Sequence, residues 1–248
     1  MDNNSHQFRD LTITPISQTE DLVVSCDVSA GFGDRKYDLV KCSPEISVSL
    51  TLRTAMLELI SYGATPINVI DTLSVEYDPT GLKVIAQMKS DLKEMGYSNV
   101  PINGSTEDNL NTEMTTVGIT VIGRSPKKVD LTNERSDLAI FQLGVPYMGQ
   151  AVLDNFSKIF SVKQVIELRK DPLVSDMIPV GSKGVSYELG VLAKTHNLNL
   201  ELSQQIDDLE IKQTAGPSTV LLVAVENSMK HQFLQKYPDL KWIARLGK

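Results

Sequence analysis

The sequence predicts an α+β fold. Strand-like and helix-like stretches mix along the chain without strict βαβ alternation, which argues against a doubly wound sheet. The 248 residues are enough for one large or two modest domains with a substantial core. A polar, aperiodic stretch, "SPKKVDLTNERSD", begins at Ser125 and reads as a link. The expected plan is an N-terminal domain over 1–124, a linker over 125–136 and a C-terminal α+β domain over 137–248.

The elements follow in order. The first ten residues, "MDNNSHQFRD", are polar and are expected to fray. "LTITPIS" and "DLVVSCD" are short, β-branched runs bounded by polar residues and read as strands. A glycine-bearing loop, "VSAGFGDRKYD", comes next. Pro44 and Glu45 open a helix that Gly63 closes. "TPINVIDTLSVE" reads as a strand, and "PTGLKVIAQMKSDLKEMG" as a surface helix with Leu82, Ile85, Met88, Leu92 and Met95 turned inward. "VPING" and "TTVGITVIGR" are strand candidates, and "NGSTEDN" reads as a turn. In the second half "LAIFQLG", "DMIPV", "LNLEL", "STVLLVAVE" and "KWIARL" read as strands. Helices are expected around 147–160, over 162–170 and after "GSKG".

Composition excludes several function classes. Hydrophobic residues at 41% and charged residues at 22% are ordinary globular usage, so an ordered chain is expected. A net charge of −7 argues against nucleic-acid binding, which needs clustered Lys and Arg. His6, His196 and His231 lack metal-ligand spacing, which disfavours zinc catalysis and a histidine triad. Cys26 and Cys42 form no CxxC and no apolar signal segment is seen, so a reducing, cytoplasmic setting is expected. No apolar run approaches the ~20 residues that span a bilayer, so no membrane partner is expected.

The helix from Glu45 to Tyr62 is apolar on most sides and is expected to be buried. Ser47, Thr51, Thr54, Glu58 and Ser61 nevertheless fall on one face of it. A buried carboxylate such as Glu58 needs a partner: a residue of another strand, a dimer contact, or a bound cation. Asp27 ends a hydrophobic strand beside small residues, a setting that suits a divalent cation, while glycines at 31 and 33 let amides approach phosphate. The loop is neither a Walker motif nor G-x-G-x-x-G, since Lys36 takes the third glycine position, and "GFGD" also reads as a plain turn. Asp71 interrupts "INVID", either for a ligand or as a solvent-facing strand residue. "GSKG" sits at a strand-to-helix turn, where amides hold an anion or close a structural turn.

The order of these pieces, with "YGATPINVID", "NGSTEDN", "VGITVIG", "GSKG" and "AGPSTVLLVAVE", resembles the superfamily of aminoimidazole ribonucleotide synthetase, thiamine monophosphate kinase, selenophosphate synthetase and the hydrogenase maturation carbamoyl dehydratase. The likeness runs from about residue 20 to the end, and "GATPINVID" is its most specific segment. It implies a two-domain PurM-like α+β fold. The N-terminal domain would be a mixed sheet or half-barrel pairing with a second copy, and the C-terminal domain an α+β sandwich. It also implies ATP and Mg²⁺ as cofactors. Asp27, Glu58, Asp71 and Glu107 or Asp108 would hold metal, and Gly31, Gly33, Lys36, Gly104, Ser105 and Thr106 would meet the nucleotide. Gly181, Ser182 and Lys183 are assigned to substrate; no catalytic base is assigned. Where the family has G-G-[DE]-T this chain has "NGST", so Ser105 replaces the family's acid and Asn103 its first glycine.

The implied activity is ATP- and Mg²⁺-dependent phosphoryl transfer to a small metabolite by a homodimer. The short family members with "GSTEDN" and "GSKG" point to α-ribazole kinase of cobalamin salvage, with thiamine monophosphate kinase-like activity next. The alternatives are a cyclo-ligase or dehydratase of the synthetase type and a non-catalytic nucleotide-binding protein.

Overall fold

The computed structural model describes residues 5–127, 135–204 and 210–248. The chain divides into two compact units, Met1–Lys127 and Lys128–Lys248. Residues 128–134 of the expected linker lie outside the described residues, as do residues 1–4 of the expected frayed terminus.

The first unit is built on a sheet of β1 (His6–Phe8), β2 (Leu11–Pro15), β3 (Glu20–Ala30), β6 (Thr65–Leu73), β7 (Ile102–Thr106) and β8 (Thr116–Pro126), in the order β1-β2-β3-β8-β6-β7. All neighbours are antiparallel except β6 and β7. A small parallel pair, β4 (Phe32–Gly33) and β5 (Val40–Lys41), lies within the glycine loop. Strand β1 corrects the expectation of fraying over His6–Phe8. The Phe8 ring packs 5.6 Å from that of Tyr62, giving this polar segment one apolar anchor.

Helix α1 (Pro44–Tyr62) starts with proline in its first turn and ends at Gly63, whose φ of 90° lets its amide reach the Ile60 carbonyl at 2.8 Å. It is buried on nearly every side, packing on β3 and β8 and under α2 (Leu82–Glu94). The inward stripe of α2 is Val84, Met88 and Leu92. Leu82, expected to face inward, is 44% exposed because the helix begins there rather than at Pro79. Asp91 of α2 accepts the Ser49 hydroxyl of α1 at 2.6 Å, tying the two helices.

The second unit is a five-stranded antiparallel sheet, β10-β12-β9-β13-β11. Its strands are β9 (Asp137–Gly144), β10 (Val174–Val180), β11 (Asn199–Leu202), β12 (Val220–Glu226) and β13 (Lys241–Gly247). The apolar run of β12 is buried at every position from Val220 to Val225, as a strand covered on both faces must be. Helix α5 (Gly184–His196) covers Leu138, Ile140 and Leu222 with Val185, Leu189 and Leu192. The helices α3 (Gln150–Asp154), α4 (Val162–Lys170) and α6 (Lys230–Lys236) complete the unit, with the Phe233 ring of α6 tilted against that of Phe141, 5.0 Å between centroids. The helix expected over 147–160 is only α3 and a 3-10 turn at Phe156–Lys158, since Gly149 (φ 59°) and Asn155 leave helical geometry. Helix α6 and strands β1, β4 and β5 had no counterpart in the sequence reading.

His196, at the end of α5, meets Asp176 of β10 at 2.8 Å, with both side chains at most 4% exposed. Removing the carboxylate takes away the partner of the buried His196 Nε2. Asp176→Leu is therefore expected to cost about 3 kcal/mol of unfolding free energy, read from urea denaturation, with β10 and α5 losing amide protection first.

Candidate functional site

Strand pairing places Asp27, Ile119, Asp71 and Gly104 in one row across β3, β8, β6 and β7. Alternation along the strands puts Asp27 and Asp71 on the helix-covered face with Val23, Ser25, Val69, Val117 and Val121. Two strand spacings separate their backbones, roughly 10 Å. Asp71 is 2% exposed and Asp27 half-buried.

Burial pushes both carboxyls up to about 6; hydrogen bonds from the Val28 backbone and Thr54 side chain moderate the rise at Asp27, and its own amide moderates it at Asp71. Neither acid has a cationic neighbour among the causes of its shift. Their elevation comes from lost hydration, the condition that a bound cation reverses.

The polar stripe of α1 is present, but much of it is satisfied within the helix. Thr51 donates to the Ser47 carbonyl at 2.9 Å, while the single Thr54 hydroxyl proton serves either the Leu50 carbonyl, 3.2 Å away, or Asp27. Thr54 also contributes to the row through Asp27. Glu58 is half-buried on the same helix.

"NGSTEDN" is not simply a turn. Asn103 to Thr106 belong to edge strand β7, and only the residues after them turn. A Cβ on Gly104 would collide with the carboxyl group of Asp71 and lie 2.5 Å from its carbonyl oxygen, so the missing side chain makes room for that acid. Ser105 pairs with Thr72, and alternation turns it to the opposite face from Asp71.

Glu107 accepts the amides of Asn109 and Leu110 at 2.8 and 3.1 Å. Asp108 accepts the Thr106 hydroxyl at 2.6 Å and the Tyr77 amide at 3.0 Å, which hold it below the usual carboxylate range. These two acids shape their own loop. Among the described residues no group of three or more His, Cys, Asp or Glu side chains is close enough to hold a metal ion. The expected meeting of four acidic segments is thus reduced in this single chain to the Asp27–Asp71 row.

The glycine loop differs from expectation too. Gly31 has φ 75°, and a Cβ on Gly33 would lie 2.6 Å from Asp38 Oδ2. The amides of Gly31 and Tyr37 donate to the Thr115 and Glu113 carbonyls, those of Leu39 and Val40 to Gly31, and that of Cys42 to Gly33. The Arg35 amide donates to Asp38 at 2.8 Å. The amides named are engaged within the protein, that of Gly31 among them. Lys36 is exposed and 3.3 Å from Glu113, while Lys41 donates to the Arg35 and Lys36 carbonyls. Arg35 pairs with Glu76 and donates to the Thr112 carbonyl. Asp38 and the Arg35–Glu76 pair were missed in the sequence, because their partners lie 41 to 77 residues away.

In the second unit, Gly181, Ser182 and Lys183 form the turn from β10 into α5. Ser182 and Lys183 are exposed, and Lys183 Nζ lies 3.0 Å from the Tyr187 hydroxyl and over its ring. Gly184 (φ 80°) abuts the Gln213 carbonyl oxygen, at 2.8 Å from where a Cβ would be, which makes the second glycine of "GSKG" structural.

No protein-family model and no curated protein matches the sequence. Solved structures do. Thermotoga maritima PurL complexed with ATP superposes with a TM-score of 0.64 at 13% identity, over 95% of this chain. Thiamine monophosphate kinase (ThiL) from Aquifex aeolicus gives 0.65 at 14%, over 98% of this chain and 90% of its own. HypE of E. coli, a hydrogenase maturation protein, gives 0.65 at 15%, over 91% and 80%. The chain has the PurM-like fold. It spans 42% of the PurL chain, and at these identities the likeness carries the fold alone. No described helix is long and apolar enough to cross a membrane.

Two outcomes test the row. Both acids ionise more readily in the unfolded chain than in the folded one, so their ionisation erodes stability as pH rises from about 4 to about 6, and the penalty stays in full above that. Asp71→Asn is therefore expected to stabilise the free protein at neutral pH by roughly 1–3 kcal/mol, a gain that vanishes near pH 4 in denaturant titrations. Gly104→Ala is expected to destabilise by about 2 kcal/mol through its collision with Asp71, and Gly104→Ala/Asp71→Gly to recover part of that loss.

Proposed function

We propose that this protein is an ATP- and Mg²⁺-dependent phosphotransferase acting on a small metabolite. The observation that carries the reading is the row itself: two carboxylates held out of water on adjoining parts of one sheet, with a glycine notch beside one of them. A pair of oxygen donors left at about 6 by burial suits a hard divalent cation, which restores their charge. The PurM-like fold adds support, since PurL has been solved with ATP and ThiL with AMPPCP and TMP.

Asp27 and Asp71 would hold Mg²⁺, in part through water, and Thr54 would orient Asp27. Bound Mg²⁺ would neutralise charge on the phosphates. Lys36 would supply the loop's contribution through its side chain. The work asked of the chain is positioning and charge neutralisation rather than covalent chemistry.

The acceptor we put forward is α-ribazole, supported by the motif likeness alone. A second copy is assigned to the open face of the first unit's sheet. Val28 there is 65% exposed, and Ile70 and Ile122 lie on the same side. A reducing, cytoplasmic setting accords with the free thiols of Cys26 and Cys42.

Incubation with ATP, Mg²⁺ and α-ribazole, followed by mass spectrometry, is expected to show one added phosphoryl group and stoichiometric ADP. Release of inorganic phosphate with a dehydrated or cyclised product would instead establish the synthetase-type reaction. Asp27→Asn and Asp71→Asn are each expected to remain folded and to lose about a hundredfold or more in turnover. They should also lose the thermal stabilisation that ATP with Mg²⁺ gives the parent protein. Unchanged stabilisation in both variants would remove the row from the nucleotide site.

A further inference from the structure

Asp38 is a charged group with no part in the row, yet it is only 4% exposed. It accepts three hydrogen bonds: the Arg35 amide at 2.8 Å, the Thr115 amide at 2.8 Å and the Thr115 hydroxyl at 2.7 Å. Gly33 lies directly against it, leaving no space for a side chain. Thr115 leads into β8, the strand that carries Ile119 between Asp27 and Asp71. One carboxylate therefore joins the loop to the strand at the centre of the row. Arg35, in the same loop, reaches Glu76 beyond the end of β6.

We propose that Asp38 is a positioning residue that sets loop 31–41 as a fixed wall of the site. A loop most of whose amides are engaged by its own protein before a ligand arrives has few donors left with which to fold over phosphates. It can instead hold Lys36 in one place beside Glu113, so that binding does not bear the entropy of ordering the loop. A glycine-rich lid would behave in the opposite way, remaining open alone and closing on nucleotide. The assignment of the wall to a nucleotide rests on the reading under Proposed function; its fixity does not.

Hydrogen exchange read by mass spectrometry over 31–41, with and without ATP and Mg²⁺, separates the two. In the full-length parent protein the segment is expected to exchange slowly without nucleotide and to change less than about twofold on adding it. Asp38→Ala should speed exchange there by about tenfold or more while leaving the rest of β3 and β8 unchanged. Thr115→Val, which removes one bond of the three, serves if Asp38→Ala fails to fold and should give an intermediate rate; Thr115→Ser should restore the parent's.

In turnover assays the Asp38 and Thr115→Val variants should raise KM for ATP several-fold with kcat little changed. Fast exchange in the free parent protein, with protection appearing on nucleotide, would establish a lid and overturn the proposal. So would Asp38→Ala and Thr115→Val variants whose loop exchanges as slowly as the parent's. If the parent binds no ATP, the nucleotide reading fails, and the exchange rates alone decide whether the wall is fixed.

Discussion

The first unit depends on the burial of one helix. Helix α1 is buried on nearly every side, most of its polar stripe included, so water must be kept from it on both flanks. The sheet does this on one side and α2 on the other. That covering places a hydrophobic layer over the face of the sheet where Asp27 and Asp71 emerge. Their raised carboxyls result from the packing that stabilises the unit. At roughly 10 Å their mutual repulsion is worth under about 2 kcal/mol even at an effective dielectric near 20, less than the roughly 3 kcal/mol that burial costs the ionised form of either acid. Desolvation dominates, so the acids are poised by the helix and not by each other.

Legibility followed the range of the interactions. Helix α1 was readable because Pro44 and Gly63 mark its ends and its apolar residues lack any solvent face. Strands β3, β8 and β12 were readable as β-branched runs. Asp27 and Asp71 were readable as acids interrupting such runs, although their shared row required the pairing of both strands with β8. What escaped was set by distant partners. Glu107 and Asp108 looked like metal ligands, yet their oxygens are engaged by Thr106, Tyr77, Asn109 and Leu110. Asp38 looked like an ordinary loop residue, since Thr115 is invisible from its neighbourhood in the sequence. The inward stripe of α2 was readable at Met88 and Leu92 and missed only at its start, where the chain between Tyr77 and Gly81 makes a wide helical turn and leaves Leu82 exposed.

The glycines show why a motif is a poor guide to its own purpose. In "GFGD" and "NGST" glycine suggests backbone brought close to a phosphate. In the structure Gly33 is small because Asp38 and Thr115 occupy the space a side chain would need, and Gly104 because the Asp71 carboxyl does. Both make room for protein groups. The consequence for the site is indirect but substantial: one glycine allows the anchored loop, and the other lets an acid settle over the edge strand.

That last arrangement constrains how any cation can be shared. Asp71 lies against Gly104, on the side of β6 away from β8, whereas Asp27 is on the far side of β8. Direct ligation of one Mg²⁺ at about 2.1 Å would need the two carboxylates to lean toward each other over Ile119. Asp71 leans the other way. One ion therefore cannot take both as direct ligands without moving the Asp71 side chain off its notch. Either water completes the link or the two acids serve two positions along a phosphate chain. Were the proposed triphosphate bound there, its charge, distributed over several ångströms, would suit two positions in the row with Ile119 between them.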